Sequence, residues 1–208
     1  MYTLFAGCSR ETPFDIVFII DSSSSIWQPD FERQILFVRD VSRQFDIGLR
    51  RAQSRVGLVS FADSYYPQFH LWQNNRPDLL ERALNRVRHR AGRKTNTGAA
   101  LDYVSKYMFT HRYGSRKDAA HVIILITDGQ STDRHKTLTA AKRVREAGIH
   151  LFAVGVGDQV DFRELEEVAS SPPQDYVFEV EDYKSLDMIK YHVANKTCRG
   201  TLNCFLKG

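Results

Sequence analysis

The chain has 208 residues, 42% of them hydrophobic and 26% charged, with a formal net charge of +4. This fits one well-filled globular domain, hardly two, and does not fit an intrinsically disordered chain. No apolar run approaches the roughly 18 residues of a spanning helix. So small a charge excess reads first as solubility, and neither a membrane span nor a nucleic-acid partner is expected.

Near the start, Ile16 to Ile20 in DIVFIID are consecutive large apolar side chains, mostly β-branched. That pattern predicts a strand buried on both faces of a parallel sheet. It ends in Asp21 and four serines. The carboxyl end of a buried strand is where open α/β sheets place ligands. Asp21, Ser23 and Ser25 alternate, so a tight loop can turn three oxygens to one centre. Oxygen donors with little charge suit a hard cation such as Mg²⁺, though taken alone such a loop is more often simple turn material.

Pro29 and Asp30 open an amphipathic helix with Phe31, Ile35, Val38 and Phe45 at helical spacing. RVGLVSFA at 55–62 and YPQFHL at 66–71 read as a hairpin, and Pro67 makes the second an antiparallel edge strand. Asp78 and Glu81 form a D-x-x-E start signal for a helix carrying Leu80, Leu84 and Val87. The basic loop RHRAGRKTNTG follows, then a helix from about Ala99 to Phe109.

HVIILITD at 121–128 repeats the opening pattern, an apolar run ending in aspartate. Two such strands on one edge of a parallel sheet bring Asp21 and Asp128 together. A helix from Lys136 to Ala147 is closed by Gly148, where a left-handed cap is expected. The strand IHLFAVGVG, a helix started by Asp161 and Glu164, a break at Pro172-Pro173, the strand YVFEV and a last helix with Leu186, Ile189 and Val193 complete the chain. Alternating strands and helices predict one doubly wound α/β domain, a mostly parallel sheet with one antiparallel edge strand and helices on both faces. It spans residues 9–198, between an extension at 1–8 and a tail at 199–208.

Thr95 and Thr97 in KTNTGAAL precede a helix, and Asp128 ends the strand neighbouring the first one. Asp21, Ser23, Ser25, a threonine and Asp128 arriving from three loops point to a metal site far more strongly than any one loop does. Together DIVFIIDSSSSI, KTNTGAAL, VIILITDGQSTD and LFAVGVG resemble a von Willebrand factor type A domain, the integrin I-domain fold, over essentially the whole chain. The resemblance implies a metal-ion-dependent adhesion site with Asp21, Ser23, Ser25, Thr95 and Asp128 as ligands. Thr95 is preferred to Thr97 because the first threonine of the family's T-x-T usually ligates. It implies Mg²⁺, with Ca²⁺ or Mn²⁺ as substitutes, and an open coordination position for a partner's carboxylate. Ser22 stands where many members have glycine.

The cysteines are Cys8, Cys198 and Cys204, without the close spacing of a metal cage or redox pair. A disulfide between Cys8 and Cys198 would tie the entry of the first strand to the exit of the last helix, and implies an oxidising compartment. The same pairing is seen in extracellular-matrix members such as matrilins and collagen A domains, to whose style this sequence is closer than to integrins. Asn195-Lys196-Thr197 is a glycosylation sequon that agrees with secretion. MYTLFAG is too short for a secretory leader, so the extracellular expectation rests on the cysteines, the sequon and the resemblance.

Enzyme readings fare worse. A dehalogenase-type phosphatase needs a second carboxylate where Ser23 stands, GVGDQV has Val160 in place of the third glycine of a dinucleotide fingerprint, and there is no HExxH or GxSxG. The expected function is therefore a secreted adhesion or matrix-assembly module that binds a protein such as collagen through the metal. Two alternatives remain: a structural spacer with an unused metal site, and binding of a sulfated glycan or mineral surface through a basic rim. That rim comprises Arg90, Arg93 and Lys94, with Arg86, Arg88 and His89 before them and Trp27 as an aromatic neighbour. Its bland reading is a solvated helix end whose cations favour the helix C-terminus.

Overall fold

The computed structural model describes residues 13–205. Its centre is β1, Phe14–Asp21, buried at every position. The other strands are β2 Arg55–Phe61, β3 Tyr65–Phe69, β4 Ala120–Thr127, β5 His150–Val156 and β6 Val177–Val180. They form one sheet in the order β3-β2-β1-β4-β5-β6, parallel throughout except for β3 against β2. Pro67 lies on that edge strand, where a missing N–H costs no ladder bond.

A period of two divides the apolar residues of β1 between two layers. Ile16, Phe18 and Ile20 face a core shared with Phe31, Val38, Leu84 and Val193 from helices α1 (Gln28–Ser42), α2 (Pro77–Leu84) and α7 (Leu186–Phe205). Val17 and Ile19 face Leu101, Ala141 and Val144 from α3 (Thr97–Tyr103) and α4 (Arg134–Glu146). Two short helices, α5 Phe162–Val168 and α6 Pro173–Tyr176, flank β5 and β6. Removing a side chain such as Phe18, which has no solvent exposure, costs about 3–5 kcal/mol.

Several local expectations change. The helix expected from Ala99 starts at Thr97 and, after Tyr103, continues as a wider π-helical turn over Val104–Met108. Helix α2 starts with Pro77 and has no side-chain cap. Asp78 instead pairs with Arg76, so the D-x-x-E signal marks the right place through a different contact. Asp161 does cap α5, accepting from the N–H groups of Arg163 and Glu164, but the Glu164 carboxylate turns inward to Ser131. Asp133 caps α4, and Gly148 follows it at φ 73°, the left-handed conformation expected there. Helix α7 does not stop at 198 but continues to Phe205, through much of the segment expected as a tail. Residues 1–8 lie outside the described residues.

β1 pairs with β2 on one side and β4 on the other, so the strand order reverses at its carboxyl end. Loops leaving opposite ways open a crevice there, the usual ligand position of a doubly wound sheet. Asp21 and Asp128 flank it.

Candidate metal centre

The tight loop after β1 is held from three sides. Ser22 N–H donates to Phe61 O at 2.8 Å, Ser24 N–H to Gly92 O at 2.7 Å, and the fully buried Gln34 of α1 donates Nε2 to Asp21 O at 3.0 Å. Asp21 is itself fully buried. Its Oδ1 accepts from Ser23 N–H at 2.8 Å and its Oδ2 from Thr127 Oγ1 at 2.8 Å.

The serines connect the two strand ends. Ser25 Oγ donates to Asp128 Oδ1 at 3.1 Å, which leaves Ser23 Oγ as donor in the 2.9 Å bond between the two hydroxyls. A third loop is tied to the one that follows Asp128, since Thr95 N–H donates to Thr132 Oγ1 at 2.8 Å and Thr132 N–H to Thr95 O at 3.0 Å. Gly98 lets α3 lie close against α4, because a Cβ there would lie 2.8 Å from Thr137 N. The half-buried Thr95 keeps its hydroxyl free of any hydrogen bond among the described residues, whereas the buried Thr97 directs Oγ1 at Thr95 O, 3.5 Å away.

The electrostatics are those of a site short of positive charge. Burial first, and then the charge of Asp128, push the Asp21 carboxyl up to about 6, against the opposing bonds from Ser23 and Thr127. Burial also raises Asp128, offset in part by the Ser25 hydroxyl. Tyr183, between β6 and α7, has a buried hydroxyl without a hydrogen bond of good geometry. Burial and the nearby charges of Asp128 and Asp21 push that phenol above its usual range. No group of three or more His, Cys, Asp or Glu side chains among the described residues is arranged to hold a metal. What the loops bring together is instead two carboxylates and the Ser23 and Ser25 hydroxyls, hard oxygen atoms of the kind divalent cations such as Mg²⁺ or Mn²⁺ take as ligands. A cation bound there would favour the ionised form of both carboxyls against the burial that raises them.

Other expected residues lie apart from this cluster. Trp27 is 70% exposed at the start of α1, and Arg90, Arg93 and Lys94 are exposed on the α2–α3 loop. Cys198 is buried on α7 and disulfide-bonded, while its expected partner Cys8 lies outside the described residues. Asn195 is half-buried within α7, and the fully buried Thr197 donates Oγ1 to Val193 O at 2.8 Å, so the sequon occupies a helix and not the surface loop usual for an acceptor. Sequence reasoning missed Thr127, Gln34 and the bonding role of Ser22. Thr127 had a legible signal as the one hydroxyl in the apolar run VIILIT.

Residues 15–192 match the family model for the von Willebrand factor type A domain. The chain belongs to that family. Mouse matrilin-2 is 34% identical over 187 residues, 88% of this chain and 19% of matrilin-2. Human collagen alpha-1(XXI) is 32% identical over 189 residues, covering 91% of this chain and 19% of the collagen chain. The transmembrane cell adhesion receptor mua-3 of Caenorhabditis elegans is 37% identical over 189 residues, covering 89% and 5%. The chain thus spans about a fifth or less of these proteins, which are named for matrix and adhesion roles. Among solved structures, proximal thread matrix protein 1 of the mussel byssus, with a zinc-occupied MIDAS motif, superposes with TM-score 0.83 at 24% identity over 90% of this chain and 48% of its own. Manganese-loaded TRAP protein of Plasmodium vivax gives 0.70 at 19% identity, over 88% and 73%. Both show the same fold.

Proposed function

We propose that this domain is an extracellular adhesion or matrix-assembly module that captures an acidic side chain of a protein partner through a divalent cation. Asp21, Ser23, Ser25, Thr95 and Asp128 would hold the ion, with Mg²⁺ as the natural occupant. A cation bound by so few charges retains Lewis acidity and favours a further carboxylate ligand. The observation that carries this reading is a fully buried aspartate with no cationic side chain beside it among the described residues, at the end of the Ser23–Ser25–Asp128 hydrogen-bonded chain. Metal-loaded neighbours of the same fold and matrix relatives support it. Disulfide closure between Cys8 and Cys198 belongs to the same extracellular reading.

The chain's own residues do the positioning. Gln34, Thr127 and the Ser23 N–H fix Asp21, and Ser25 orients Asp128, so these two carboxylates would need little rearrangement to receive an ion. Immobilised fibrillar collagen, titrated with the domain in Mg²⁺ and in EDTA, tests the partner class. Binding that requires Mg²⁺ and disappears in Asp21→Ala, with the far-ultraviolet spectrum unchanged, is the expected result. Equal binding in EDTA contradicts metal-mediated capture. No binding in either condition removes collagen as partner, and the same titration then passes to other matrix proteins.

A further inference from the structure

The loop joining α2 to α3 carries Arg86, Arg88, Arg90, Arg93 and Lys94, all exposed. None of the five forms an ion pair among the described residues, whereas most other cationic clusters do: Arg43 meets Asp40 and Glu81, Arg134 meets Glu167, and Arg143 meets Asp102. The nearby Asp63 accepts from the backbone N–H of Arg93, at 3.2 Å for each oxygen. Arg86 and Arg88 follow the end of α2 and can favour its C-terminus, but that account does not reach Arg90, Arg93 or Lys94.

The charged groups do not hold the loop in place. Its backbone and one imidazole do that, against the metal loop. Ser22 Oγ accepts from Arg90 N–H at 2.7 Å, Gly92 O accepts from Ser24 N–H at 2.7 Å, and His89 Nε2 bonds Ser23 O at 2.9 Å while its ring stacks on Phe31. Gly92 is required, because a Cβ would lie 2.5 Å from Asp63 Oδ2 and 2.6 Å from the Ala62 Cβ. The Ser22 hydroxyl thus pins the cationic loop. The Arg90 guanidinium lies 4.7 Å from the centre of the Tyr66 ring, a cation–π contact that directs it without neutralising it. Five cations on a pinned loop repel one another with no carboxylate paired to them among the described residues, a cost that a bound polyanion would offset.

We propose that this loop is a binding site for a sulfated glycosaminoglycan. Guanidinium groups match planar oxyanions in bidentate fashion. The five cations are strung along one exposed loop without the buried apolar anchor a protein partner usually needs, so a chain of closely spaced sulfates fits better than an acidic protein segment. The extracellular compartment rests on the function proposed above, but the binding itself involves none of the metal ligands.

The test is binding to immobilised heparin in EDTA, across a series of ionic strengths, using the natural chain. The expected result is binding that weakens steeply with salt and is indifferent to EDTA. Replacing Arg90, Arg93 and Lys94 together by glutamine removes three charge-assisted contacts and lowers affinity at least about tenfold. The backbone bond from residue 90 to Ser22 survives that change, and an unchanged thermal midpoint confirms folding. A charge-matched control, Arg50→Gln with Arg112→Gln and Lys117→Gln, lies away from this loop and leaves affinity within about twofold. No heparin binding at low salt overturns the proposal, as do equal losses in the two triple variants. Equal competition by polyglutamate, duplex DNA or phosphatidylserine vesicles at matched charge also overturns it, reassigning the loop to an acidic protein or to general polyanion attraction. EDTA-sensitive heparin binding overturns the loop assignment but leaves the metal site standing. Salt-sensitive, EDTA-indifferent heparin binding with no metal-dependent partner capture would refute the metal reading alone.

Discussion

β1 carries a fully buried aspartate at each end, and the two are treated in opposite ways. Asp15 meets Arg116, which donates its backbone N–H to Oδ2 at 2.7 Å and both Nε and Nη2 to Oδ1, at 3.0 and 2.6 Å. The same guanidinium reaches the carbonyls of Phe14 and Gln53, fastening the amino end of the sheet to its loops. Asp21, six positions on, has among the described residues no cation and only one N–H and one hydroxyl. A buried charge with its counter-charge in place is architecture. A buried charge without one is a site in need of a ligand.

The sharpest break of this contrast comes at Asp15. Arg116→Ala leaves that carboxylate buried and unpaired and should cost about 3–5 kcal/mol of stability, read by urea unfolding, with or without Mg²⁺. At the other end the sign reverses. The folded-state value of Asp21, about 6, lies above its usual 3.8, so the ionised group opposes folding above about pH 6. Asp21→Asn should therefore raise the metal-free stability at neutral pH, by up to about 3 kcal/mol, while abolishing stabilisation by Mg²⁺. A loss of metal-free stability in that variant would mean that Asp21, like Asp15, is a structural charge.

The same linkage sets a pH dependence. Between about pH 6 and 4 the folded metal-free protein binds the Asp21 proton and the unfolded chain does not, so stability should rise as pH falls through that window. Asp128, raised as well, adds in the same direction. Metal competes with that proton, so Mg²⁺ affinity should fall as pH drops below about 6. Chemical unfolding at stepped pH in EDTA and in Mg²⁺ would show the two trends diverging. The smallest effect belongs to Ser25→Ala, which removes one hydroxyl bond to Asp128. About 1 kcal/mol of metal affinity, near fivefold, should be lost in a calorimetric titration.

The sheet was legible because both of its central strands are long apolar runs leading to an aspartate, and buried parallel strands leave few other readings for such runs. The neighbourhood of Asp21 and Asp128 followed from that alone. Gln34 and Tyr183 were not legible as parts of the site, and Thr127 was marked only as the one hydroxyl in its apolar run. Each acts through a contact across the fold, and a buried glutamine on α1 has no local pattern to announce that its amide will hold Asp21 O. Asp15 likewise looked like the start of a strand, because its partner Arg116 lies 101 residues away. Capping signals failed more mildly. Asp78 and Glu164 sit at helix starts, but Arg76 and Ser131 offered them stronger partners than a backbone N–H. Ser22 was legible as a departure from the family pattern, and only the fold shows that its hydroxyl pins the basic loop.

The central claim is that Asp21 is held without a counter-charge so that a divalent cation can supply one. Its most direct test is the unfolding midpoint of the natural chain and of Asp21→Asn, measured at neutral pH against rising Mg²⁺. The account predicts a midpoint that climbs with Mg²⁺ in the natural chain and stays flat, from a higher metal-free start, in the variant. Parallel climbs in both proteins, or no climb in either, would contradict it.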